Sequence, residues 1–305
     1  MTTLEVVFGK KLGAPKPDKA IKELARRGPY KVDRGDLAIV GMSGFVFAPR
    51  EGKRLPAVAL AHDWRASSTR YRDLMFHLAS WGIVVAVPDG ETGVFASDVE
   101  LATELRTAVT VLQTIPLGDG TVSVDPDRVG LAGHGFGAAA ALRAASETVL
   151  HGRPPVDARA LAAVFPAPTT SDLLPMAATV KVPSLVLAAT GHVDSMTGNA
   201  RAVADELAGD VVFRTVTGAD NRGLLEKRGV KSLLGVSGAD RDTHTAVRAQ
   251  LTGFLLHTLG GDDRYADFAD PKVTMGDSVS TPTEDIEPAE LDHFSQLLGA
   301  KPPSK

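Results

Sequence analysis

Three glycines at alternate positions, Gly133, Gly135 and Gly137, separate a short apolar run, Val129 to Ala132, from an alanine-rich stretch ending at Leu142. A strand, a sharp glycine turn and a helix form the frame of G-x-S-x-G, a nucleophile elbow. The outer glycines are needed because strand and helix approach too closely for side chains. The middle residue takes a strained conformation that aims its side chain into an active site. In acyl transfer that side chain is the attacking oxygen, a histidine takes its proton, and an acid orients the histidine. Here the middle residue is Gly135, with His134 before it and Phe136 after it. The elbow is present and its nucleophile is missing.

The elements that must hold this turn follow from apolar patterning. Pro56–Ala61 is a continuous apolar run of strand length, suited to a central strand buried on both faces. It ends in the polar loop His62-Asp63-Trp64-Arg65, at the strand end where open α/β sheets place ligands. Segments Gly35–Val40 and Gly44–Ala48 alternate as an antiparallel strand pair. A helix is expected near Arg70–Trp81 and a strand over Ile83–Val87. Ser97 can cap a helix from Asp98 to Thr114, whose apolar residues Leu101, Leu105, Ala108, Val109 and Leu112 share one face. Further strands are expected at Leu161–Phe165, Ser184–Ala189 and Val211–Val216, and a last helix over Thr245–Thr258. Strands alternating with helices imply an α/β fold with a mainly parallel, doubly wound sheet.

The glycine spacing is G-x-G-x-G rather than G-x-G-x-x-G, and no Lys-Ser/Thr pair follows, so neither dinucleotide nor P-loop binding is indicated. With these excluded, several segments agree with one known family. Arg27-Gly-Pro-Tyr30, Ala57-Val-Ala-Leu-Ala-His-Asp-Trp64, Ser80-Trp-Gly-Ile-Val-Val-Ala-Val-Pro-Asp89, Asp127-Arg-Val-Gly-Leu-Ala-Gly-His-Gly-Phe-Gly137, Val182-Pro-Ser-Leu-Val-Leu-Ala with Val193-Asp194-Ser195, and Gly261-Asp-Asp-Arg-Tyr-Ala-Asp-Phe268 carry the likeness. Over residues 27–270 the chain resembles the α/β-hydrolases, in their dienelactone-hydrolase and cutinase-like branch, especially actinobacterial polyester hydrolases and lipases.

The resemblance implies a place for each catalytic part. Gly135 stands at the nucleophile position and Asp194 at the acid position. The histidine position falls on Asn221, which cannot accept and return a proton near neutral pH. A competing alignment uses His244, just before the last helix, with Arg222–Arg241 as an insertion. The oxyanion donors would be the backbone N–H groups of Trp64 and Phe136. Asp63 stands where the family usually has a small residue, and its charge should oppose a developing oxyanion. Pro166-Ala-Pro168 replaces the aromatic clamp of the polyester hydrolases. Ser67, Ser68 and Ser195 are the serines that could act as a displaced nucleophile.

His62, His134, His192 and His244, with Asp63 and Asp194, could crowd one pocket. None has a local ligand spacing such as H-x-x-x-H, so no metal and no cofactor is expected. The 305-residue chain has a net charge of −4, no cysteine and no apolar run near membrane-spanning length. Neither a nucleic-acid surface nor a disulfide framework is indicated, and a cytoplasmic protein without a transmembrane segment is expected. Residues 1–26 are expected as an N-terminal extension, 27–270 as the domain, and 271–305 as a linker and tail. Within that tail Pro288–Gly299 could form a short amphipathic helix. The expected function is that of a silent hydrolase which binds a small hydrophobic ligand, or a protein partner through the tail. The alternative is an active hydrolase of esters, lactones or thioesters whose nucleophile is displaced or has been removed by substitution.

Overall fold

Valine, alanine and leucine dominate the central strands, whose apolar side chains are buried on both faces of one sheet. The computed structural model describes residues 15–167, 173–190, 200–220, 222–226, 241–276 and 278–280. In chain order the strands are β1 (Val32–Asp36), β2 (Gly44–Pro49), β3 (Gly52–Ala61), β4 (Val84–Pro88), β5 (Val122–His134), β6 (Leu161–Val164), β7 (Ser184–Ala189), β8 (Val211–Val216) and β9 (Ser278–Ser280). They form a nine-stranded sheet in the order β1-β2-β4-β3-β5-β6-β7-β8-β9. From β4 to β8 every neighbouring pair is parallel. The β1–β2, β2–β4 and β8–β9 pairs are antiparallel. The fold is thus α/β, mainly parallel, with an antiparallel pair at its N-terminal edge.

The helices are α1 (Pro17–Leu24), α2 (Arg72–Ser80), α3 (Asp98–Thr114), α4 (Phe136–Ala145), α5 (Leu174–Ala177), α6 (Ala200–Glu206) and α7 (Arg241–Thr258). They divide between the two faces of the sheet. Leu101, Leu105 and Val109 of α3 pack with the alanines of α4 and with Ala59 and Leu131 on one face. Leu74 and Leu78 of α2, Val247, Leu251 and Phe254 of α7, and Ala20 and Leu24 of α1 pack with Val58 and Leu60 on the other. Burying a leucine such as Leu60 contributes about 1.5–3 kcal/mol, so each face carries a substantial core.

Ser97 caps α3 as its sequence implies, accepting from the Glu100 N–H at 3.3 Å. Strands β3 and β5 extend beyond their expected apolar runs, to Gly52–Ala61 and Val122–His134, and other boundaries differ as well. Leu37–Val40 is a 3-10 turn rather than the continuation of a strand. The Asp36 carboxylate accepts the Ala38 N–H at 2.8 Å, and Gly41, at φ 76°, closes the turn. This local side-chain bond outcompetes the sheet ladder. Helix α7 starts at Arg241, so His244 lies within its first turn rather than ahead of it. Asp242 in that turn suits the positive end of the helix dipole. Beyond Pro271, Ser278–Ser280 pairs with β8 through Arg214–Val216. The Pro288–Gly299 segment lies outside the described residues.

Candidate functional site

Strand β5 carries its apolar side chains to Ala132 and then delivers Gly133, His134 and Gly135 to the sheet's C-terminal edge. The glycine expectations have a direct geometric basis. A Cβ at Gly133 would lie 2.0 Å from the Gly137 carbonyl oxygen, and one at Gly137 would lie 2.4 Å from the His62 carbonyl oxygen. Both neighbours are backbone and cannot turn away. Gly135 itself has φ 56° and ψ −120°, a conformation that side chains rarely adopt. Its N–H donates to the Val164 carbonyl at 2.9 Å and its own carbonyl accepts the Ala167 N–H at 3.2 Å, which fixes the turn against the end of β6. Arg65 (φ 54°) and Phe165 (φ 49°) are also left-handed, in loops that follow β3 and β6 at the same sheet edge. Three left-handed residues, Arg65, Gly135 and Phe165, thus lie at this edge of the sheet.

Asp63 occupies the tip of this turn. A Cβ at Gly135 would lie 2.1 Å from Asp63 Oδ1 and 2.5 Å from its carboxyl carbon. The same Oδ1 accepts the Phe136 N–H at 2.9 Å. Phe136 is the first residue of α4, and Gly135 at its N-cap has no side chain to cap it. A carboxylate from β3's loop thus caps a helix that begins 73 residues later, in a charge-assisted bond. Of the two backbone donors expected to form an oxyanion hole, Phe136 is already engaged by an anion of the protein. The Trp64 side chain points elsewhere: its indole N–H donates to the Val94 carbonyl at 3.2 Å.

Two histidines hold the Asp63 loop to the elbow from beneath. The Asp63 N–H donates to the Tyr71 hydroxyl at 2.9 Å, and that hydroxyl lies 2.8 Å from His134 Nδ1. Burial first, and the Asp63 carboxylate second, push the Tyr71 phenol well above its ordinary pKa. The phenol therefore keeps its proton, accepts from Asp63 and shares a second hydrogen bond with His134 Nδ1. The His134 ring also meets Tyr71 and Phe165 edge-on, with centroids 5.7 and 5.9 Å apart. His62 is fully buried, with Nδ1 3.0 Å from the Asp63 carbonyl and Nε2 4.0 Å from Asp89 Oδ1. Asp89 is committed to Ser68, accepting its N–H at 2.8 Å and its hydroxyl at 3.0 Å. Ser67 Oγ lies 2.5 Å from Thr69 Oγ1. Both described serines near the elbow thus have partners of their own.

The segment after β8 closes one side of this edge. Leu224 and Leu225 join Ala66 and Tyr71 in one apolar cluster. Glu226 then reaches α2, where its Oε1 accepts the Asp73 N–H at 2.6 Å and the Leu74 N–H at 3.3 Å. Burial, more than any neighbouring charge, raises the Glu226 pKa. Gly223 lies beside Thr243, so the first turn of α7 packs next to the segment following β8. His244 is buried in that turn. His192, Asp194, Ser195, Asn221 and Pro168 lie outside the described residues.

The structure thus brings Gly135, Phe136, Asp63, His62 and His134 together. It adds Tyr71, Asp89 and Glu226, none of which was singled out from the sequence. Tyr71 lies between two arginines and Asp89 in a Pro-Asp-Gly turn, so nothing in the local sequence marks either of them as part of this site. Among the described residues no group of three or more histidines and carboxylates is disposed to hold a metal ion. No helix among them is long and apolar enough to cross a membrane. No protein-family model matches the chain, and comparison with curated proteins gives no match.

Proposed function

We propose that this is an α/β-hydrolase-fold protein that binds rather than hydrolyses, with an elbow sealed by its own carboxylate. One observation carries the proposal: Asp63 fills the space of the missing nucleophile and holds the Phe136 N–H. Catalysis by an oxyanion hole requires donors aimed at a charge that develops only in the transition state. A donor satisfied by a resident carboxylate has little stabilisation left to offer. The strand order, the strained turn and the close glycine contacts support descent of the geometry from an acyl-transfer elbow. Exposed Trp64, Val94 and Phe95, on the loops around the elbow, support recognition of an apolar ligand or an apolar partner surface.

A second reading has an observation in its favour. A carboxylate can itself be a nucleophile, and Asp63 stands at the elbow tip with one oxygen held by a helix N–H. Turnover of short- and long-chain activated esters by the native protein, by Asp63→Ala and by Asp63→Gly/Gly135→Ser separates the two. The expected result is a silent native protein and a silent Asp63→Ala variant. Native turnover that disappears in Asp63→Ala would overturn the binding reading in favour of a carboxylate nucleophile. Activity gained only by the double variant would show that the remaining machinery is present and merely sealed.

A further inference from the structure

The opposite end of the sheet carries a feature unrelated to the elbow. Where α2 ends and β4 begins, a groove of about 520 Å³ lies between α1 and the Gly28–Pro29 segment. Lys19, Lys22, Glu23, Arg26, Arg27 and Trp81 line it. Lys19 and Lys22 lie three residues apart on one face of α1, and Arg26 follows just beyond the helix's C-terminal end. All three are exposed, and they make no ion pair among the described residues. Arg27 is oriented by Asp73 at 3.6 Å and lies over the Phe76 ring at 5.8 Å. The only acid of the groove, Glu23, accepts the Tyr265 hydroxyl at 3.2 Å. Lys19, Lys22 and Arg26 therefore face one engaged carboxylate, beside an Arg27 already paired with Asp73, in a chain whose net charge is −4.

The floor is rigid. The Trp81 indole N–H donates to the Arg26 carbonyl at 2.9 Å, and the Gly28 N–H donates to Ser80 Oγ at 2.8 Å. A Cβ at Gly28 would lie 2.2 Å from the Ser80 carbonyl oxygen, so this segment is pressed flat on the end of α2. The result is a preformed groove of small-ligand size, with an indole on one side and guanidinium and ammonium groups on the other. Arginine forks and lysine point charges together match the oxygens of phosphate esters. We propose that this groove binds a compact organic polyphosphate, whether free or as the headgroup of a phospholipid. The proposal is independent of the sealed elbow, since no groove residue takes part in that site.

The test uses the full chain carrying Trp64→Phe, which leaves Trp81 as the one tryptophan reporter. Inorganic pyrophosphate, inositol hexakisphosphate and phosphoinositide-containing vesicles are titrated by fluorescence and calorimetry. Saturable binding that weakens about tenfold or more in Lys22→Gln/Arg26→Gln, and is unchanged in the exposed control Lys272→Gln, is the expected result. Binding of the soluble phosphates assigns a free ligand, and binding of the vesicles alone assigns a headgroup. No saturable binding to any probe overturns the proposal, as does binding that the double variant leaves intact.

Discussion

The Asp63 carboxylate stands where the side chain of residue 135 would begin, with Oδ1 only 2.1 Å from the position of a Cβ. Two distinct costs oppose any substitution of Gly135. One is the clash, which a movable carboxylate can relieve. The other is φ 56°, which no neighbour can relieve.

Gly135→Ala is therefore expected to destabilise the protein by roughly 2–3 kcal/mol, combining backbone strain with displacement of a helix cap. Adding Asp63→Gly removes the clash but also the charged acceptor of the Phe136 N–H. The double variant should be more stable than the sum of the single losses predicts, while remaining below the native protein. Urea unfolding of the four proteins gives the coupling directly. Strict additivity would mean that Asp63 does not occupy the elbow tip in solution.

Gly137→Ala makes the opposite case, because its neighbours are the carbonyl oxygens of His62 at 2.4 Å and Ala61 at 2.5 Å. Relief requires α4 to move away from β3. A loss of about 3 kcal/mol or more is expected, and no change at Asp63 should rescue it. The Tm of Gly137→Ala with and without Asp63→Gly checks this. Rescue would place the strain at the tip rather than at the strand–helix crossing.

What was legible in the sequence follows the range of the forces involved. The strands Ser184–Ala189 and Val211–Val216 and the helix Asp98–Thr114 coincide with their apolar patterns, since periodicity and a local cap suffice to define them. The glycines around Gly135 mark a close crossing in the sequence itself. The Asp63–Phe136 bond was not legible, because it exists only once β3 and β5 lie side by side in the sheet. Sequence reasoning placed Asp63 beside the donors and expected repulsion of a substrate anion. The structure shows the carboxylate bonded to one donor itself. Tyr71 gave no signal at all: its hydroxyl acts through a backbone N–H and a histidine 63 positions away. The 3-10 turn at Leu37–Val40 was missed because one aspartate side chain redirected an apolar run that suits a strand equally well.

Glu226 caps α2 from a distant loop, so Glu226→Ala should cost about 1 kcal/mol and loosen the cover over Ala66 and Tyr71. The pH dependence has a definite sign. Burial raises the folded pKa above the unfolded one, so the native state holds its proton longer. The contribution is most favourable below the unfolded carboxylate value of about 4.3 and is lost as pH rises through the folded value. Glu226→Gln keeps the accepting oxygen and abolishes the titration. Its stability relative to the native protein should therefore rise with pH across that window. A flat difference between the two proteins would place Glu226 in a solvated position instead.

His77 titrates in the other direction. It is buried in α2, and desolvation, with the Arg248 charge adding to it, lowers its pKa to about 4. The backbone of Leu24 acts in the opposite sense, and neither ring nitrogen makes a hydrogen bond of full geometry. In the unfolded chain the ring protonates near 6.5. Between these values the unfolded state binds more protons, so stability falls as pH drops from about 6.5 toward about 4. The loss attributable to this one ring approaches about 3 kcal/mol at the acid end. His77→Leu removes the titratable group from the interface of α2 with α1 and α7. Its unfolding free energy, followed by urea titration at pH 7, 6, 5 and ~4, should decline less steeply than that of the native protein. Parallel declines would show that the ring is reached by solvent in the native state, and that acid acts on the fold through its carboxylates alone.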